Sequence, residues 1–382
     1  MRADSRQLLS ATRRSARASH DCPVRCRGDR HPRERPAYLA GVADLGDAIH
    51  RSIHAWPGPS VESVVFGTED IGAIVAAIEG LCAGALAGGI EECLFYRAMV
   101  GCVVGVRLTT GIRRVIKAYQ PRWSPTFLEG VCRIQRHLAE DGFPCPTPVA
   151  GPVPLGGGWA TVEEYLPDPG QAALEEAMLT VSASGLADQI GRCRDQDGGS
   201  LAGHPLRAVA GRLYPEPHSP LFDFEATAQG ASWIDELAEA GKELRDAHQG
   251  QPVIAHTDWS ARNVRLGRDR VLAVYDWDSL ALVPETSAVG QAAATWSAFG
   301  EVVEPIAPSA QQIAEFVRHY ETSRGRTFTI EQRRAVGGAA LWVLAYTARC
   351  EHAIDDGSGG HRRARPRLEA DGRLLLDLPS LL

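Results

Sequence analysis

Lysine is almost missing from this sequence. Of its 40 basic residues only Lys117 and Lys242 are lysines, and all the others are arginines. A compact ammonium and a broad planar guanidinium are not interchangeable at sites that bind phosphate or carboxylate groups. A lysine that is retained in such a background therefore indicates a position that prefers an ammonium.

The cysteines show no arrangement typical of a metal cage. Nine are scattered along the chain, and only Cys22 and Cys26 lie close together, with no second Cys or His pair at a spacing that would complete a tetrahedral zinc site. The pattern favours reduced thiols, as expected of a cytoplasmic protein.

A long hydrophobic run is also missing. The most apolar stretch, 71–90, has about the length of a membrane span, but it consists largely of Ala and Gly and contains Glu79. A buried helix is the better interpretation. We therefore expect no contact with a membrane.

An excess of positive charge is confined to the first 36 residues. This arm holds ten Arg against four acidic residues, whereas the whole chain has a formal net charge of −7. The acidic remainder does not suggest binding to nucleic acid. Because the arm has low hydrophobicity and lacks the apolar core of a secretory signal, we predict that 1–36 is a disordered basic arm.

The rest of the sequence divides into four regions by its patterning. Helical spacing predicts N-terminal helices over 37–90, and β-rich runs joined by a turn at Gly111 predict a small antiparallel sheet within 91–165. Helical patterns dominate 166–356, and 357–382 forms a C-terminal tail. This order predicts an α+β fold, in which a small sheet-containing lobe precedes a mainly helical lobe.

One interval, 254–279, interrupts the helical region with polar residues between β runs. It contains the pattern His-x-Asp-x-x-x-x-Asn from His256 through Asp258 to Asn263, and then Asp276 after a predicted β-hairpin. Phosphoryl transfer needs a carboxylate that orients or deprotonates the attacking hydroxyl, and oxygen ligands that hold Mg²⁺ against the phosphates. We expect Asp258 to supply the carboxylate. Asn263 and Asp276 are expected to supply the ligands, because the open end of the hairpin places them side by side.

Other interpretations of this interval remain open. Asp258 and Asn263 are also residue types that cap turns, and Asp276 is able to end a strand without any chemical role. A catalytic zinc site made of His256 and the two aspartates is weaker, because zinc hydrolases typically offer more His and Asn263 would have no role. His256 itself is expected to shape the loop, and Asp278 fits either a second metal contact or a cap.

Lys117 lies in the predicted strand Arg113–Tyr119, where alternation points it to one face of the sheet. An inward-facing ammonium needs a partner, and a triphosphate supplies one. In kinases a carboxylate from the next helix positions this lysine, which makes Glu129 of the predicted helix Pro125–Glu140 the candidate. The alternative is a charge on an edge strand, and Lys242 has the context of a solvated helix face.

Taken together, these motifs make the chain resemble the aminoglycoside phosphotransferase family, over about residues 92–352. This family is a bacterial branch of the protein-kinase-like fold that also includes choline kinases. The resemblance implies a bilobal fold with an antiparallel N-lobe sheet and a helical C-lobe. It further implies that Asp258 is the catalytic base, that Asn263 and Asp276 bind Mg²⁺, and that Lys117 binds phosphate.

The resemblance also places the hinge between the lobes at 163–166, where backbone groups of Glu164 and Leu166 would hold the base of ATP or GTP. Two features depart from the family pattern: no Gly-x-Gly-x-x-Gly precedes Lys117, and Glu129 lies farther from Gly142 than in the family. The glycine pattern is often missing in this family.

The sequence therefore predicts a cytoplasmic, ATP-dependent small-molecule kinase that transfers a γ-phosphoryl group to a hydroxyl, without a nucleic-acid or membrane partner. One alternative is a catalytically weak, nucleotide-binding pseudokinase. A Ser/Thr protein kinase is less favoured, because no Ala-Pro-Glu signature or activation-loop length follows Asp276. The sequence identifies neither the acceptor, nor the choice between ATP and GTP, nor the oligomeric state.

Overall fold

The computed structural model describes residues 44–55, 60–170, 177–205, 211–217, 222–248, 250–298, 306–355 and 363–382. The predicted disordered arm at 1–36 lies outside these residues. The helices are α1 (Leu45–Ile53), α2 (Val61–Phe66), α3 (Ile71–Ala85), α4 (Pro125–Glu140), α5 (Ala177–Arg192), α6 (Ser232–Ala247), α7 (Glu285–Thr295), α8 (Ala310–Arg324), α9 (Ile330–Ala353) and α10 (Arg365–Asp371). The strands are β1 (Ile90–Ala98), β2 (Cys102–Leu108), β3 (Arg113–Tyr119), β4 (Pro148–Leu155), β5 (Gly158–Glu164), β6 (Pro252–His256), β7 (Val264–Leu266), β8 (Val271–Val274) and β9 (Leu280–Pro284).

The N-terminal lobe is built on a five-stranded antiparallel sheet with the strand order β1-β2-β3-β5-β4. β2 and β3 form a hairpin whose turn holds Gly111 at a φ of +81°, a conformation that glycine adopts without a Cβ clash. Between β3 and β5 the register pairs Val115 with Glu163 and Lys117 with Thr161. Because residues opposite each other in an antiparallel pair project to the same side, these four side chains share one face of the sheet.

Helices α1, α2 and α3 cover the other face of the sheet. Ile49, Val65 and Ile78 from these helices form a hydrophobic core with Ile116 and Ala118 of β3. Strand β3 thus presents Ile116 and Ala118 to the helices and Lys117 to the opposite face, as the alternation predicts.

Helix α4 packs on β4 and β5. It begins at the N-cap Ser124, whose side chain accepts a hydrogen bond from the backbone N of Phe127, and a proline occupies its first turn. Gly142, with a φ of +79°, follows its C-cap. These start and stop signals explain why the predicted bounds of α4 agree with the observed ones.

The C-terminal lobe is mainly helical, with α6, α7 and α10 packed against the long helix α9. Helices α6 and α9 approach closely, since a Cβ on Gly338 would lie 2.6 Å from the carbonyl oxygen of Gly241. Two small antiparallel sheets, β6–β9 and β7–β8, stand among the helices. They carry the polar interval that the sequence singles out.

The C-terminal tail belongs to this lobe. After α10 it forms a 3-10 helix over Leu374–Leu381, and Leu368, Leu375 and Leu378 are buried in the main core. Their burial explains the apolar character of the last residues.

The fold class is confirmed: the chain is α+β, with an antiparallel sheet lobe followed by a mainly helical lobe. The spacing of apolar residues predicts a helix over 222–248, and this prediction is wrong for its first ten residues. The stretch is helical only from Ser232, because Asp223 starts a turn by accepting a hydrogen bond from the backbone N of Ala226 at 2.9 Å. Across the described residues, no helix is both long and apolar enough to cross a membrane.

Candidate active site

The pairing of β6 with β9 fixes the segment that carries Asp258. His256 lies opposite Leu280 in this pair. Thr257 then donates from its backbone N and its Oγ1 to the carbonyl of Ser279, at 2.9 and 2.7 Å. These contacts end the strand, and Asp258 follows Thr257 in the loop after it.

Asn263 holds Asp258 from the far end of that loop. Its Nδ2 donates to the carboxylate Oδ2 of Asp258 at 2.8 Å and to the carbonyl oxygen of the same residue at 3.1 Å. Ser260 Oγ donates to the second carboxylate oxygen, Oδ1, at 3.3 Å. Because both oxygens accept a hydrogen bond, the orientation of the carboxylate is fixed, and Asn263 keeps its amide oxygen for another contact.

The β7–β8 hairpin brings Asp276 to Asn263. Val264 pairs with Val274, and the backbone N of Tyr275 donates to the carbonyl of Asn263 at 2.9 Å. Asp276 follows with φ 61° and ψ 49°, a left-handed conformation that is uncommon for a residue with a Cβ but tolerated by Asp. Backbone held in such a sparsely populated region is frequent at functional sites.

The buried ring of His256 connects the loop of Asp258 with the segment that ends at Asp276. It is 1 % exposed, accepts at Nδ1 from the backbone N of Asp258 at 3.3 Å, and donates from Nε2 to the carbonyl of Tyr275 at 2.9 Å. The rings of Trp259 and Trp277 pack edge-on against it. Burial lowers the pKa of His256, so the imidazole is neutral and shapes the loop.

Lys117 reaches this segment from the sheet lobe. The side chain is buried, and Nζ lies 3.0 Å from Oδ1 of Asp278 and 3.3 Å from Oδ1 of Asp276. Burial alone would lower the pKa of Lys117, but the carboxylates of Asp278, Glu163 and Asp276 raise it well above its usual value. The ammonium is therefore charged. Lys117 and Asp276 are 159 residues apart in the sequence, so the fold brings them together.

Asp276 and Asp278 influence each other. Burial and the adjacent charge of Asp278 raise the pKa of Asp276 to about 8. Burial opposes ionisation of Asp278 as well, but the ammonium of Lys117 and a hydrogen bond from Asp276 hold the pKa of Asp278 below its usual value. Two carboxyl groups so close together share one proton in the absence of another cation.

Glu129 is not brought to this cluster. It is exposed on α4, and among the ion pairs of the described residues Lys117 contacts the two aspartates instead. The buried polar residue on α4 is Gln135, whose Nε2 donates to Oε2 of Glu163 at 3.0 Å. The sequence assigns Glu163 only to the hinge, although the alternation that turns Lys117 inward also turns one residue of the Glu-Glu pair on β5 inward.

Glu164 and Leu166 lie where the sheet lobe passes into the helical lobe. Glu164 is exposed, and its backbone N donates to the carbonyl of Thr147 at 2.9 Å. Leu166 is half-buried two residues later, and in extended backbone such residues project to the same side. The structure thus places both at the junction of the lobes, where the resemblance puts the hinge.

Arg265 links the junction of the lobes to the loop that carries Asp258. Its Nε and Nη2 donate to the two carboxylate oxygens of Asp168, each at 2.8 Å, while Nη1 donates to the carbonyls of Ala261 and Arg262 at 2.9 and 3.0 Å. Such a fork suits guanidinium geometry. Arg265 is a residue that the sequence analysis did not single out.

The oxygen donors of this site suit a hard divalent cation. Asp276, Asp278 and the amide oxygen of Asn263 are of the type that Mg²⁺ prefers, and Mg²⁺ is usually held by one or two carboxylates together with substrate phosphates. Within the described ranges, no group of three or more His, Cys, Asp or Glu side chains could hold a metal ion alone. The donor set therefore fits a cation that arrives with a nucleotide.

Comparisons with known proteins place the chain in a family. The sequence model of the phosphotransferase enzyme family matches residues 104–329, more than half of the chain. A search of curated proteins finds no match.

Several solved structures are similar at low sequence identity. A complex of the amicoumacin kinase hAmiN with AMP-PNP, Ca²⁺ and Ami is 12 % identical, with a TM-score of 0.46, and the match covers 74 % of this chain and 85 % of that chain. Spectinomycin phosphotransferase APH(9)-Ia with ADP and spectinomycin is 14 % identical, with a TM-score of 0.46 and coverage of 80 % and 96 %. Choline kinase from Cryptosporidium parvum Iowa II is 12 % identical, with a TM-score of 0.45 and coverage of 80 % and 95 %.

Family membership rests on the sequence match, because it spans β2 to the start of α9 and includes every residue of the site described above. The chain belongs to the phosphotransferase enzyme family.

Proposed function

We propose that this protein transfers the γ-phosphoryl group of a nucleoside triphosphate, ATP or GTP, to a hydroxyl of a small molecule. The observation that carries the proposal is the meeting of Lys117 with the segment of Asp258, Asn263 and Asp276. The lysine comes from the sheet lobe and the other three from the helical lobe, so the site is assembled only when both lobes are folded together. Such convergence of a cation with oriented carboxylates suits phosphoryl transfer.

Asp258 is the residue proposed to receive the acceptor hydroxyl. Its two carboxylate oxygens are oriented by Asn263 and Ser260, yet the residue is only partly buried, so a substrate can reach it. A fixed carboxylate aligns the attacking oxygen with the phosphorus and takes its proton as the bond forms.

Lys117 is proposed to contact the phosphates of the donor, and the hinge backbone at Glu164 and Leu166 to hold its base. A compact ammonium is able to approach phosphate oxygens closely, and in a buried site its attraction to them is weakly screened. Glu129 is not proposed for this role, because it is exposed.

Asn263 and Asp276, with Asp278 beside them, are proposed to hold Mg²⁺. The cation neutralises charge on the transferring phosphoryl group when it is bound. The protein keeps these oxygens together. Without a cation the charges of Asp276 and Asp278 repel each other, as the raised pKa of Asp276 indicates.

A pseudokinase is the second candidate function. The site does not lack any of the four residues expected of an active kinase, which are Lys117, Asp258, Asn263 and Asp276. It would be favoured by nucleotide binding without turnover of any acceptor.

The test is a screen for release of nucleoside diphosphate with Mg²⁺ over aminosugars, amino alcohols, sugars and nucleosides. We expect acceptor-dependent release that the Asp258→Asn variant lowers by about 10²- to 10⁴-fold, the usual contribution of a general base. Asp269→Asn is the matched control, because Asp269 is an exposed carboxylate in the turn of the β7–β8 hairpin. Equal rates for the wild type and Asp258→Asn would overturn the assignment.

A further inference from the structure

The lysine of this site lacks a carboxylate from the helix that usually provides one. In kinases the helix after the lysine strand supplies a glutamate that positions the lysine. Helix α4 takes that place here, but its Glu129 is exposed, and the α4 residue that points to the site is the neutral Gln135.

Strand β5 supplies a carboxylate instead. Glu163 lies opposite Val115, so it is the diagonal neighbour of Lys117 on the same face of the sheet. Both residues are 6 % exposed. Diagonal neighbours on one face of an antiparallel pair lie roughly 7–8 Å apart, which is within reach of long side chains.

Gln135 holds Glu163 in this place. Its Nε2 donates to Oε2 of Glu163 at 3.0 Å and to the carbonyl of Pro146 at 2.8 Å, and its side chain is 3 % exposed. The amide therefore stands on the helix and the carboxylate on the strand, which is the reverse of the usual arrangement.

We infer that Glu163 is the positioning residue of Lys117, with Gln135 as its support, an inference that rests on the proposed phosphotransfer at this site. The physical reason is that different carboxylates neutralise the cation and the ammonium. Asp276 and Asp278 belong to the proposed cation site, so their charge is shared between Lys117 and the cation. Glu163 keeps its charge for Lys117 when the nucleotide and cation are bound.

The energetics distinguish this role from a packing role. Burial raises the pKa of Glu163, and the charge of Lys117 and the hydrogen bond of Gln135 only partly offset it. A buried carboxylate is thus costly for the fold, and a glutamine of the same shape would accept the bond from Gln135 without that cost. Conversely, an aspartate would keep the charge but leave the space poorly filled.

The experiment compares two variants: Glu163→Gln keeps the shape of the side chain and removes its charge, whereas Glu163→Asp keeps the charge and shortens the side chain. We expect Glu163→Gln to lower kcat/KM for the nucleotide by roughly ten- to a hundredfold, the size of effect that a misplaced group causes, while its unfolding midpoint stays equal or rises. Glu163→Asp is expected to keep more of the rate although it unfolds earlier. The opposite order, with Gln the more active variant, overturns the inference, as does a wild-type rate in Glu163→Gln.

Affinity for a non-hydrolysable nucleoside triphosphate with Mg²⁺, measured by calorimetry, repeats the comparison without an acceptor. We expect the ranking wild type, Asp, Gln from tightest to weakest. If the wild type turns over no acceptor, the proposed function fails, while this ranking still decides the role of Glu163. Glu140→Gln, at an exposed carboxylate of the same helix α4, is the control that should behave as the wild type.

Discussion

Arg265 and Asp168 form a two-pronged ion pair, with Nε and Nη2 of the guanidinium each 2.8 Å from a carboxylate oxygen. Asp168 lies just after the junction of the lobes and Arg265 two residues after Asn263, so the pair connects that junction to the loop that carries Asp258. Tyr275 adds a second tie, because its hydroxyl donates to the carbonyl of Pro167 at 3.2 Å. A fixed hinge and a fixed loop would keep the proposed nucleotide site and the proposed acceptor site in a constant relative position.

Removal of this pair should loosen both sites. We expect Asp168→Asn to lower the free energy of unfolding by about 1–2 kcal/mol, since charged hydrogen bonds are lost but Asp168 is half exposed and screened by water. The KM for the nucleotide should rise as well. Urea unfolding and steady-state kinetics measure the two effects. Lys242→Ala, which breaks the more exposed pair with Asp246 on α6, is the control expected to change stability by less than about 0.5 kcal/mol.

The two lysines provide a matched pair of substitutions. Lys117→Arg should lower turnover by orders of magnitude, because the broad guanidinium does not fit the buried space beside Asp276 and Asp278. Lys242→Arg should have no effect, since Lys242 lies on the surface of α6 and pairs with Asp246 four residues later. The measurement is kcat/KM with circular dichroism as a check of folding. Equal rates for both variants would refute a phosphate contact of Lys117.

Asp276 should determine the need for a divalent cation. We expect a chelator to stop turnover, and Asp276→Asn to require much more Mg²⁺ and to lower the rate by about 10²-fold or more, because one charged oxygen ligand is lost. Mg²⁺ titration of activity and of nucleotide affinity tests this. Asp246→Asn, outside the site on α6, serves as the comparison, and a shared Mg²⁺ dependence would contradict the assignment.

Burial of His256 predicts an acid-sensitive fold. The folded state lowers its pKa, whereas the unfolded chain has a histidine pKa of about 6.5. The unfolded state thus binds the proton more readily, so the free energy of unfolding should fall as the pH drops below about 6.5, by up to about 1.4 kcal/mol per pH unit. Urea unfolding between about pH 7.5 and 5.5 should give a shallower pH slope for His256→Asn than for the wild type.

Two glycines should respond to alanine in opposite directions. A Cβ on Gly338 would lie 2.6 Å from the carbonyl oxygen of Gly241 and 2.7 Å from the backbone N of Arg245, so α6 and α9 would have to separate. We expect Gly338→Ala to lower the free energy of unfolding by about 1–3 kcal/mol. Gly80 of α3 is exposed with nothing within 4 Å of its Cβ position, and Gly80→Ala should raise stability by about 0.5–1 kcal/mol. Thermal unfolding compares them directly.

Local signals explain which parts of the fold were predictable. Helix α4 has its N-cap Ser124 and its stop at Gly142 within a few residues of its ends, and the β2–β3 hairpin has Gly111 at its turn. The stretch 222–231 carries acidic and apolar residues with nearly helical spacing, but the side chain of Asp223 binds the backbone of Ala226 and makes a turn instead. Spacing alone does not reveal such competition.

The residues of the site also separate into those that local sequence patterns predict and those that only the folded structure reveals. Asp258, Asn263 and Asp276 lie within one interval, so the sequence brings them together, and alternation turns Lys117 inward. Pairing between distant segments is a different matter, because no local pattern links Glu163 with Gln135 or Arg265 with Asp168. These pairs depend on how helix and hinge pack against the sheet and the hairpin, which is a property of the folded chain.

The scarcity of lysine has a practical consequence at the bench. Apart from the amino terminus, an acylating reagent finds two amines: Lys242, whose side chain is 33 % exposed, and Lys117, whose side chain is 7 % exposed. A fluorophore or surface linker attached under mild conditions is therefore expected on α6, with Lys117, the proposed phosphate contact, left unmodified. Peptide mass spectrometry then compares the extent of acylation at the two amines. Lys242 serves as the internal standard, and the acylation of Lys117 reports whether a ligand occupies the site.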